Sequence, residues 1–468
     1  MRIWMFAALG SLAAIGSLDA QARKTRSPEI QELVSVEAPV VALMRVRVID
    51  GTGAPAREDQ TVIIRGGKIE AVGPAATVKA PPGARVIDGA GHTVIPGLIG
   101  LHDHTFYTAA GRTLQSNYSA PRLYLAAGVT TIRTTGSVEP YAELYLKKKI
   151  DDGEVPGPNI VVTGPYLTGP TDETAPSMAR LKTAADARRV VAYWADEGVT
   201  WMKFYTAVSR EAMKAAIDEG HKRGMKFTGH LCSVSHREAV NLGIDGLEHG
   251  MFANSDFDPT RKPDQCSPNV SKSFATLDVN GPAAQATFKA MVARQVALTS
   301  TLAVIETVYG LGEIDPRALE AMSPDAKTAL IAAREAGRSG GSIDLLKKGM
   351  AYERAFVKAG GLLTSGVDPV NAGLFGYGDQ RNIELLVEAG FSPVEAIQIG
   401  SANGAKALGT FAEVGSIAPG KRADLVLIRG NPAVNIGDLR QVVTVFKGGV
   451  GYDSAKLAAA VKGQVGIR

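Results

Sequence analysis

The sequence has very little cysteine, which argues against a disulfide-based scaffold and a cysteine-rich metal site. Only Cys232 and Cys266 occur among 468 residues, too few for a disulfide framework and without a CxxC metal motif. We expect Cys232 to be a buried thiol beside the functional site. Whether the two cysteines pair is left open by the sequence.

Runs of basic residues are also missing. Lysine and arginine are interspersed with aspartate and glutamate, and the net charge is only +4 over the whole chain. A nucleic-acid-binding surface needs clustered positive charge. The sequence therefore gives no indication of a nucleic-acid partner.

Long apolar runs are absent except at the N-terminus. Arg2 precedes the apolar run Ile3–Leu18, and the small-x-small sequence Ala20-Gln21-Ala22 follows it, a pattern typical of a cleaved signal peptide. The run is too short for a comfortable transmembrane helix. We predict that residues 1–22 are a signal peptide removed on export, so that the protein is periplasmic or secreted with no stable membrane insertion. An uncleaved N-terminal anchor is the alternative.

What is present is a globular composition, with 45% hydrophobic and 21% charged residues, and a pattern that changes along the chain. Residues 23–39 are polar and are expected to form a poorly ordered lead-in. Residues 40–95 contain short β-rich runs between Gly, Pro and Asp turns, and residues 409–468 repeat this pattern. We predict that the two ends form one small discontinuous β-sandwich domain.

The middle of the chain, residues 96–408, alternates between apolar runs and helix-like segments. The apolar runs are Val94–His104, Val129–Thr135, Asn159–Tyr166, Thr200–Ala207, Lys226–Leu231, Gly246–Gly250, Ala297–Val304 and Leu362–Asp368. Eight strands alternating with helices indicate parallel βαβ units, and eight is the number that closes a (β/α)8 TIM barrel. A doubly wound open sheet is the alternative, but its first turn lacks the glycine-rich phosphate loop.

Two long stretches interrupt this alternation, residues 254–278 and residues 306–344. Connections of this length inside a compact domain are usually functional. Both stretches follow predicted strand ends on the face where such barrels carry their chemistry. We expect them to form parts of a substrate pocket, and decoration of the outside of the barrel is the alternative.

Polar side chains collect at the ends of the predicted strands. They are His102, His104, Lys203, His230, His249 and Asp368, so four of the seven histidines of the chain lie there. Residues i and i+2 of a strand share a face, so His102 and His104 would point the same way, as in a transition-metal site. A lysine within an apolar strand needs a partner or a chemical change, because burying an unpaired ammonium is costly.

With these residues in place, the sequence resembles the amidohydrolase superfamily of metal-dependent hydrolases. The matching elements are Pro96-Gly-Leu-Ile-Gly-Leu-His102-Asp-His104, Lys203, Gly-His230, Glu-His249-Gly, Gly-Val-Asp368-Pro and Gly415-Ser-Ile-Ala-Pro-Gly-Lys-Arg-Ala-Asp424-Leu-Val-Leu. They extend over nearly the whole chain after the lead-in. The resemblance implies a distorted (β/α)8 barrel with a small β-sandwich, and it is strongest to secreted dipeptidases, prolidases and carboxypeptidase-like enzymes.

In the branch with a lysine on the fourth strand, the resemblance also implies two divalent metal ions, for which Zn2+ is expected. His102, His104 and Asp368 would hold the first ion, and His230 and His249 the second. Lys203 would be carboxylated on its amine and would bridge both ions. Carboxylation would also remove the buried positive charge.

One position departs from the pattern of the superfamily. Members often carry aspartate two residues before the first histidine of the pair, and here that position is Gly100. We expect a local packing change at Gly100, and we expect Asp103 to point away from the metals. The other histidines, His92, His221 and His236, are expected to be structural or exposed.

The resemblance implies hydrolysis of an amide bond. Water shared by two cations loses a proton near neutral pH, and the metal-bridging hydroxide attacks a polarised carbonyl. Asp368 would accept the proton of this hydroxide and pass it to the leaving nitrogen. Tyr205 and Tyr166 lie at strand ends, where either could hydrogen-bond a substrate carbonyl or carboxylate, with packing as the alternative role.

The expected substrate is a small molecule, either a dipeptide or an N-acyl amino acid. A mononuclear cyclic-amide hydrolase of the imidazolonepropionase kind is the first alternative. A non-catalytic periplasmic binding protein is a remote one. The side chain that is recognised and the formation of a homo-oligomer are left open.

Overall fold

The computed structural model describes residues 26–109, 112–171, 177–369 and 375–466. The predicted signal peptide, residues 1–22, lies outside the described residues. The strands are β1 (Val34–Val36), β2 (Val40–Val48), β3 (Arg57–Arg65), β4 (Lys68–Pro74), β5 (Arg85–Asp88), β6 (His92–Pro96), β7 (Leu98–Asp103), β8 (Phe106–Ala109), β9 (Arg112–Gln115), β10 (Val129–Thr134), β11 (Asn159–Thr168), β12 (Ala179–Arg180), β13 (Trp201–Phe204), β14 (Lys226–Gly229), β15 (Gly246–Glu248), β16 (Ala297–Ser300), β17 (Leu363–Ser365), β18 (Leu425–Arg429), β19 (Val442–Lys447) and β20 (Val450–Asp453).

Most helices connect the strands of the middle region. They are α1 (Pro28–Glu32), α2 (Ser119–Ala126), α3 (Pro140–Asp151), α4 (Ala184–Asp196), α5 (Arg210–Lys222), α6 (His236–Leu242), α7 (Val270–Thr276), α8 (Pro282–Ala293), α9 (Leu302–Val308), α10 (Pro316–Ala321), α11 (Pro324–Arg338), α12 (Ile343–Lys358), α13 (Tyr377–Glu388), α14 (Pro393–Gln398), α15 (Gly404–Leu408) and α16 (Ser454–Ala459). Within the described residues, every helix is too short or too polar to traverse a bilayer.

The two ends of the chain meet in one nine-stranded sheet. Its strand order is β1-β20-β19-β18-β6-β2-β3-β4, with β5 beside β2. β6 joins the two ends, because it pairs antiparallel with β18 and parallel with β2. Apolar side chains from both ends, including Val48, Val62, Leu425 and Phe446, form one buried cluster. Strands from the two ends therefore pair as expected, while their packing as a β-sandwich remains a prediction.

The lead-in is more ordered than expected. α1 begins after Ser27, whose hydroxyl accepts a hydrogen bond from the Ile30 N–H. β1 then pairs antiparallel with β20 at the edge of the sheet. The expectation of poor order is wrong for this part of residues 23–39, because the apolar side chains of Ile30 and Leu33 are buried against the protein.

A curled parallel sheet carries the predicted alternation of strands and helices. A six-stranded sheet has the order β14-β13-β11-β10-β7, with β12 beside β11, and a three-stranded sheet has the order β15-β16-β17. Backbone hydrogen bonds cross both gaps between these sheets. Asp245 N–H donates to Phe227 O at 3.0 Å, and Asp368 N–H donates to His102 O at 2.7 Å. The fold is therefore mixed α/β, while full closure of a TIM barrel stays a prediction.

The predicted first strand, Val94–His104, is two strands that belong to different sheets. β6 ends at Pro96 in the nine-stranded sheet, and β7 begins at Leu98 in the parallel sheet. Gly97 lies so close to the neighbouring strand that a Cβ atom there would be 2.0 Å from Thr130 Oγ1. Glycine therefore allows the chain to pass between the sheets at this point.

The two long stretches are partly helical. α7 lies in residues 254–278, and α10 and α11 lie in residues 306–344. Cys232 and Cys266 form a disulfide bond, with their Cα atoms 4.8 Å apart. The expectation of a free thiol at Cys232 is therefore wrong, because the first stretch folds back over the loop that follows β14 and brings Cys266 to it.

Candidate metal centre

The six predicted ligands meet at one end of the parallel sheet. The imidazole centroids of His102 and His249 are 4.4 Å apart, and those of His230 and His249 are 4.5 Å apart. Asp368 lies beside them, with its Oδ2 3.4 Å from Nε2 of His102 and its Oδ1 3.3 Å from Nε2 of His104. Side chains far apart in sequence thus converge as a metal site requires, and their roles as ligands remain predictions.

Lys203 lies inside this cluster and is only 2% exposed. Its Nζ donates a hydrogen bond to Nε2 of His102 at 3.0 Å. Burial lowers the pKa of the Lys203 amine to about 8, although Asp368 and Glu248 act in the opposite direction. The neutral amine is the form that reacts with carbon dioxide, so a lowered pKa suits the predicted carboxylation.

Two imidazoles present a buried nitrogen toward the centre. His104 donates its Nδ1–H to Gly136 O at 3.1 Å, and Nδ1 of His249 hydrogen-bonds the Thr301 hydroxyl at 2.9 Å. Nε2 of each ring is buried and has no hydrogen-bond partner among the described residues. Rings oriented through Nδ1 in this way leave Nε2 available as a metal ligand.

The facing atoms of His104 and Asp368 provide a direct test of whether a cation fits. Because the Nδ1–H of His104 is directed at a carbonyl, its Nε2 is an acceptor, and it faces a carboxylate oxygen at 3.3 Å. Two acceptors at this distance repel each other unless a proton or a cation lies between them. Burial lowers the pKa of His104 to about 4, which disfavours the proton. Imidazole and carboxylate donors suit divalent zinc, so the residues fit the implied metals.

Two of these residues have a backbone conformation that is unusual for residues other than glycine. His249 has a φ of 65° and Asp368 has a φ of 52°, in the left-handed region that residues other than glycine seldom occupy. Each such residue costs on the order of 1 kcal/mol and persists where the surrounding structure enforces it. Both residues are predicted ligands, and the same conformation also occurs outside the site, at Arg45, Asp59, Asp264 and Gln295.

A buried ion-pair network holds His102 through its Nδ1 atom. His102 donates its Nδ1–H to Glu248 Oε2 at 2.8 Å, and Arg133 Nη2 donates to Glu248 Oε1 at 2.6 Å. The Thr228 hydroxyl also contacts Glu248 Oε1. Although burial opposes ionisation, Arg133 and His102 lower the pKa of Glu248 to about 2. The carboxylate therefore stays charged and fixes the tautomer of His102.

Sequence reasoning missed Glu248 and Arg133. Glu248 was named only as the first residue of the Glu-His249-Gly motif, and no role was predicted for it. Arg133 lies in the buried strand β10 and is 2% exposed. The argument applied to Lys203, that a buried cation needs a partner, extends to Arg133 once β10 is recognised as a buried strand.

Gly100 makes room for a carboxylate. A Cβ atom at this position would lie 1.8 Å from Asp103 Oδ2 and 2.8 Å from Asp379 Oδ1. The pairing of β7 with β10 shifts register between Gly100 and Asp103, which turns Asp103 back toward Gly100. Burial raises the pKa of Asp103 well above its ordinary value, and Asp379 adds to this effect. The packing around Gly100 is thus set by Asp103.

A cavity of about 670 Å³ lies over the metal centre and is lined by Lys203, His230, His249 and Asp368. Tyr166 and Tyr205 line it too, which leaves both available to a substrate. From the long stretches, the lining includes Thr307, Val308, Leu330, Ala333 and Arg334. Among the described residues, none from 254–278 contributes, so the expectation of a pocket wall holds for the second stretch and is wrong for the first.

The three remaining histidines lie outside the cluster. His92 is in β6, and its Nδ1 contacts Ala90 O at 3.0 Å. His221 lies in the last turn of α5 and contacts Asp245 Oδ2 at 3.0 Å. His236 begins α6 and is fully buried, so it is structural rather than exposed.

Residues 93–451 match the amidohydrolase family. The chain belongs to this family. Among solved structures, a candidate prolidase from Bifidobacterium longum is 29% identical, with a TM-score of 0.64 over 88% of this chain and 94% of that one. A Xaa-Pro dipeptidase with methionine bound in its active site has a TM-score of 0.66 at 20% identity, over 88% of this chain and 100% of that one, and shows the same fold.

Similarity to curated proteins is more limited. An imidazolonepropionase from Idiomarina loihiensis is 42% identical over 78 residues, which span 17% of this chain and 18% of that protein. An uncharacterized protein of Mycobacterium tuberculosis is 26% identical over 180 residues, 36% of this chain and 47% of that one. The matches thus span less than half of these relatives. With its family and structural neighbours, this amidohydrolase is a hydrolase acting on carbon–nitrogen bonds, and a non-catalytic binding role loses its support.

Proposed function

We propose that this amidohydrolase cleaves the amide bond of a dipeptide or an N-acyl amino acid with the help of two divalent metal ions, preferably Zn2+. The observation that carries the proposal is the facing pair of acceptors, His104 Nε2 and Asp368 Oδ1, at 3.3 Å within the cluster. This pair calls for a cation at the centre of an open cavity. The prolidase and dipeptidase neighbours support a small linear amide as substrate.

The metals would be held by the side chains gathered at the strand ends. His102, His104 and Asp368 would hold one ion, His230 and His249 the other, and Lys203, as a carbamate, would join the two. When bound, the ions would lower the pKa of a water molecule and polarise the amide carbonyl. Carboxylation of Lys203 would replace its buried positive charge by a negative one that faces the cations.

The protein groups then have separate roles in the reaction. Asp368 would accept a proton at a carboxylate oxygen and return it to the leaving nitrogen. Glu248 keeps His102 in one tautomer and orientation. Tyr205 and Tyr166, whose ring centroids are 5.6 Å apart, line the cavity and would orient the substrate through its carbonyl or carboxylate.

The match to an imidazolonepropionase favours a second candidate. A cyclic-amide hydrolase of that kind would work with one metal ion and leave Lys203 as a free amine. The number of ions per chain and the class of amide that is hydrolysed separate the two candidates. Cleavage of linear amides by protein with two bound ions would support the first.

The decisive experiment is a hydrolysis screen combined with metal analysis. Xaa-Pro and other dipeptides, N-acyl amino acids and cyclic amides are tested before and after a chelator, and again after Zn2+ is added back. We expect turnover of linear amides that the chelator abolishes and zinc restores. His230→Ala should reduce metal content and turnover, whereas the matched control His221→Ala, at a half-exposed helix position, should not.

Two structural expectations belong to the same proposal. We propose that the parallel strands close into a distorted (β/α)8 barrel and that the nine-stranded sheet is part of a small β-sandwich. We also propose export to the periplasm or the medium, for which the apolar run Ile3–Leu18 is the support. Sequencing the N-terminus of the purified protein tests removal of residues 1–22.

A further inference from the structure

Arg334 is a buried cation on the wall of the cavity that contains the metal centre. It lies on α11, is 5% exposed, and lines the same cavity as Lys203 and Asp368. Apart from Lys203, it is the only lysine or arginine among the described residues that line this cavity. Much of the surrounding wall is apolar, with Val304, Val308 and Leu330 near it in the lining.

Close packing fixes the position of Arg334. A Cβ atom on Gly337 would lie 2.0 Å from Val308 O, and one on Gly310 would lie 2.4 Å from Arg334 O. These glycines therefore let α11 contact the turn that follows α9. Nη2 of Arg334 donates to Leu311 O at 2.7 Å and to the next carbonyl at 2.9 Å. The guanidinium is held in place before any ligand binds.

In the part of the chain that the structure describes, the charge of Arg334 is balanced only at longer range. Among the described residues, no carboxylate forms an ion pair with it. Burial lowers the pKa of Arg334, and Glu306 opposes this effect at longer range. Both carboxylate oxygens of Glu306 already accept hydrogen bonds from Arg381, at 2.8 and 2.9 Å. A buried guanidinium without a counterion is costly, and a bound anion would offset that cost.

We propose that Arg334 binds a carboxylate of the substrate and so determines a preference for acidic substrates. The inference rests on the proposed function, because a dipeptide or an N-acyl amino acid carries a carboxylate close to the scissile amide. Guanidinium groups bind carboxylates through directional, charge-assisted hydrogen bonds. Arg334 is thus a specificity residue on the cavity wall, separate from the groups that contact the reacting amide.

Binding of compounds that lack a scissile amide tests this assignment independently of turnover. Two pairs of N-benzyl amines are titrated into the metal-loaded protein at pH 7. The two members of the first pair differ only in the group on the α-carbon next to the amine, which is a carboxylic acid in one and a primary alcohol in the other. The two members of the second pair differ in the same way, but at the end of the side chain. We expect the wild-type protein to bind the acid of one pair about 10-fold or more tightly than the matching alcohol.

Arg334→Gln should remove that preference, and Arg334→Lys should retain part of it. Arg338→Gln is the matched control, because Arg338 lies on the same helix and donates from Nε to Gly310 O at 3.2 Å without lining the cavity. The acid preference of the Arg338→Gln variant should equal that of the wild-type protein. A preference kept in Arg334→Gln, or absent from wild type in both pairs, would overturn the proposal. Failure of the hydrolysis screen would instead count against the proposed function.

Discussion

Glu248 accepts a hydrogen bond from Nδ1 of His102 at 2.8 Å, and both side chains are fully buried. Arg133 binds the other carboxylate oxygen of Glu248 at 2.6 Å. The arrangement points Nε2 of His102 at Lys203 and Asp368. The ion pair between β10 and β15 therefore fixes the direction of an imidazole on β7.

Glu248→Gln should weaken metal binding about 10- to 100-fold, because the amide orients His102 less strongly than the carboxylate does. Competition with a chelator measures the change. Glu353→Gln is a suitable control, because burial raises the pKa of Glu353 to about 8 and the side chain is therefore largely neutral at pH 7. Equal metal affinity in Glu248→Gln and wild type would exclude this role for Glu248.

Asp368→Asn should abolish most turnover and leave most of the bound metal. Loss of general acid–base catalysis lowers rates by about 100- to 10,000-fold. The amide oxygen can still serve as a weaker ligand, and the imidazoles are unchanged. Measuring kcat beside the metal content per chain tests the prediction. Turnover like that of wild type would remove Asp368 from the proton transfer.

Gly100→Ala should destabilise the protein, because its Cβ atom would meet Asp103 Oδ2 at 1.8 Å. Overpacking of this kind costs about 1–3 kcal/mol of the free energy of unfolding. Gly340→Ala, where nothing lies within 4 Å of the added atom, is the control and should cost far less.

A double-mutant cycle tests whether Asp103 is the cause. In an Asp103→Ala background, Gly100→Ala should cost less than it does in wild type, because the obstructing carboxylate is gone. Denaturant unfolding of the four proteins gives the coupling free energy. Strictly additive effects of Gly100→Ala and Asp103→Ala would contradict this account of the packing.

Glu143 should make stability depend on pH. Burial raises the pKa of Glu143 from 4.5 to about 8, against opposing hydrogen bonds. The folded protein therefore holds this proton more tightly than the unfolded chain does, and the stability it contributes at low pH is lost as the pH rises through about 8. Glu143→Gln should flatten the fall in melting temperature between about pH 5 and pH 8. Glu139→Gln, at an exposed residue that precedes the same helix, should keep the slope of wild type.

The sequence predicted the proximity of the six cluster residues because the carboxyl ends of neighbouring parallel strands meet at one edge of a sheet. Residues at successive strand ends can therefore be placed together without a structure. Glu248 and Arg133 were not paired from the sequence because they lie on strands of different sheets, and their contact depends on how those sheets come together. The break at Gly97 was missed because the residues on both sides are apolar and buried, and the Pro96-Gly97 pair that marks the break was included in one strand.

The disulfide and the cavity wall depended on how the long stretches fold. Cys232 and Cys266 meet only because residues 254–278 return to the end of β14, and no periodicity in that stretch indicates its path. Arg334 reaches the cavity because Gly310 and Gly337 permit close backbone contact. Such contacts between distant segments are set by tertiary packing and leave little signal in local sequence.

β6 lies between β2 and β18 in the nine-stranded sheet, and this order determines when β6 can be fully paired during folding. β18 is made only after all strands of the parallel sheet, so one edge of β6 stays unpaired while most of the chain is being translated. An unpaired edge invites association with other nascent chains. Until β18 pairs with β6, this edge is therefore a place where two chains can associate before either has completed its sheet.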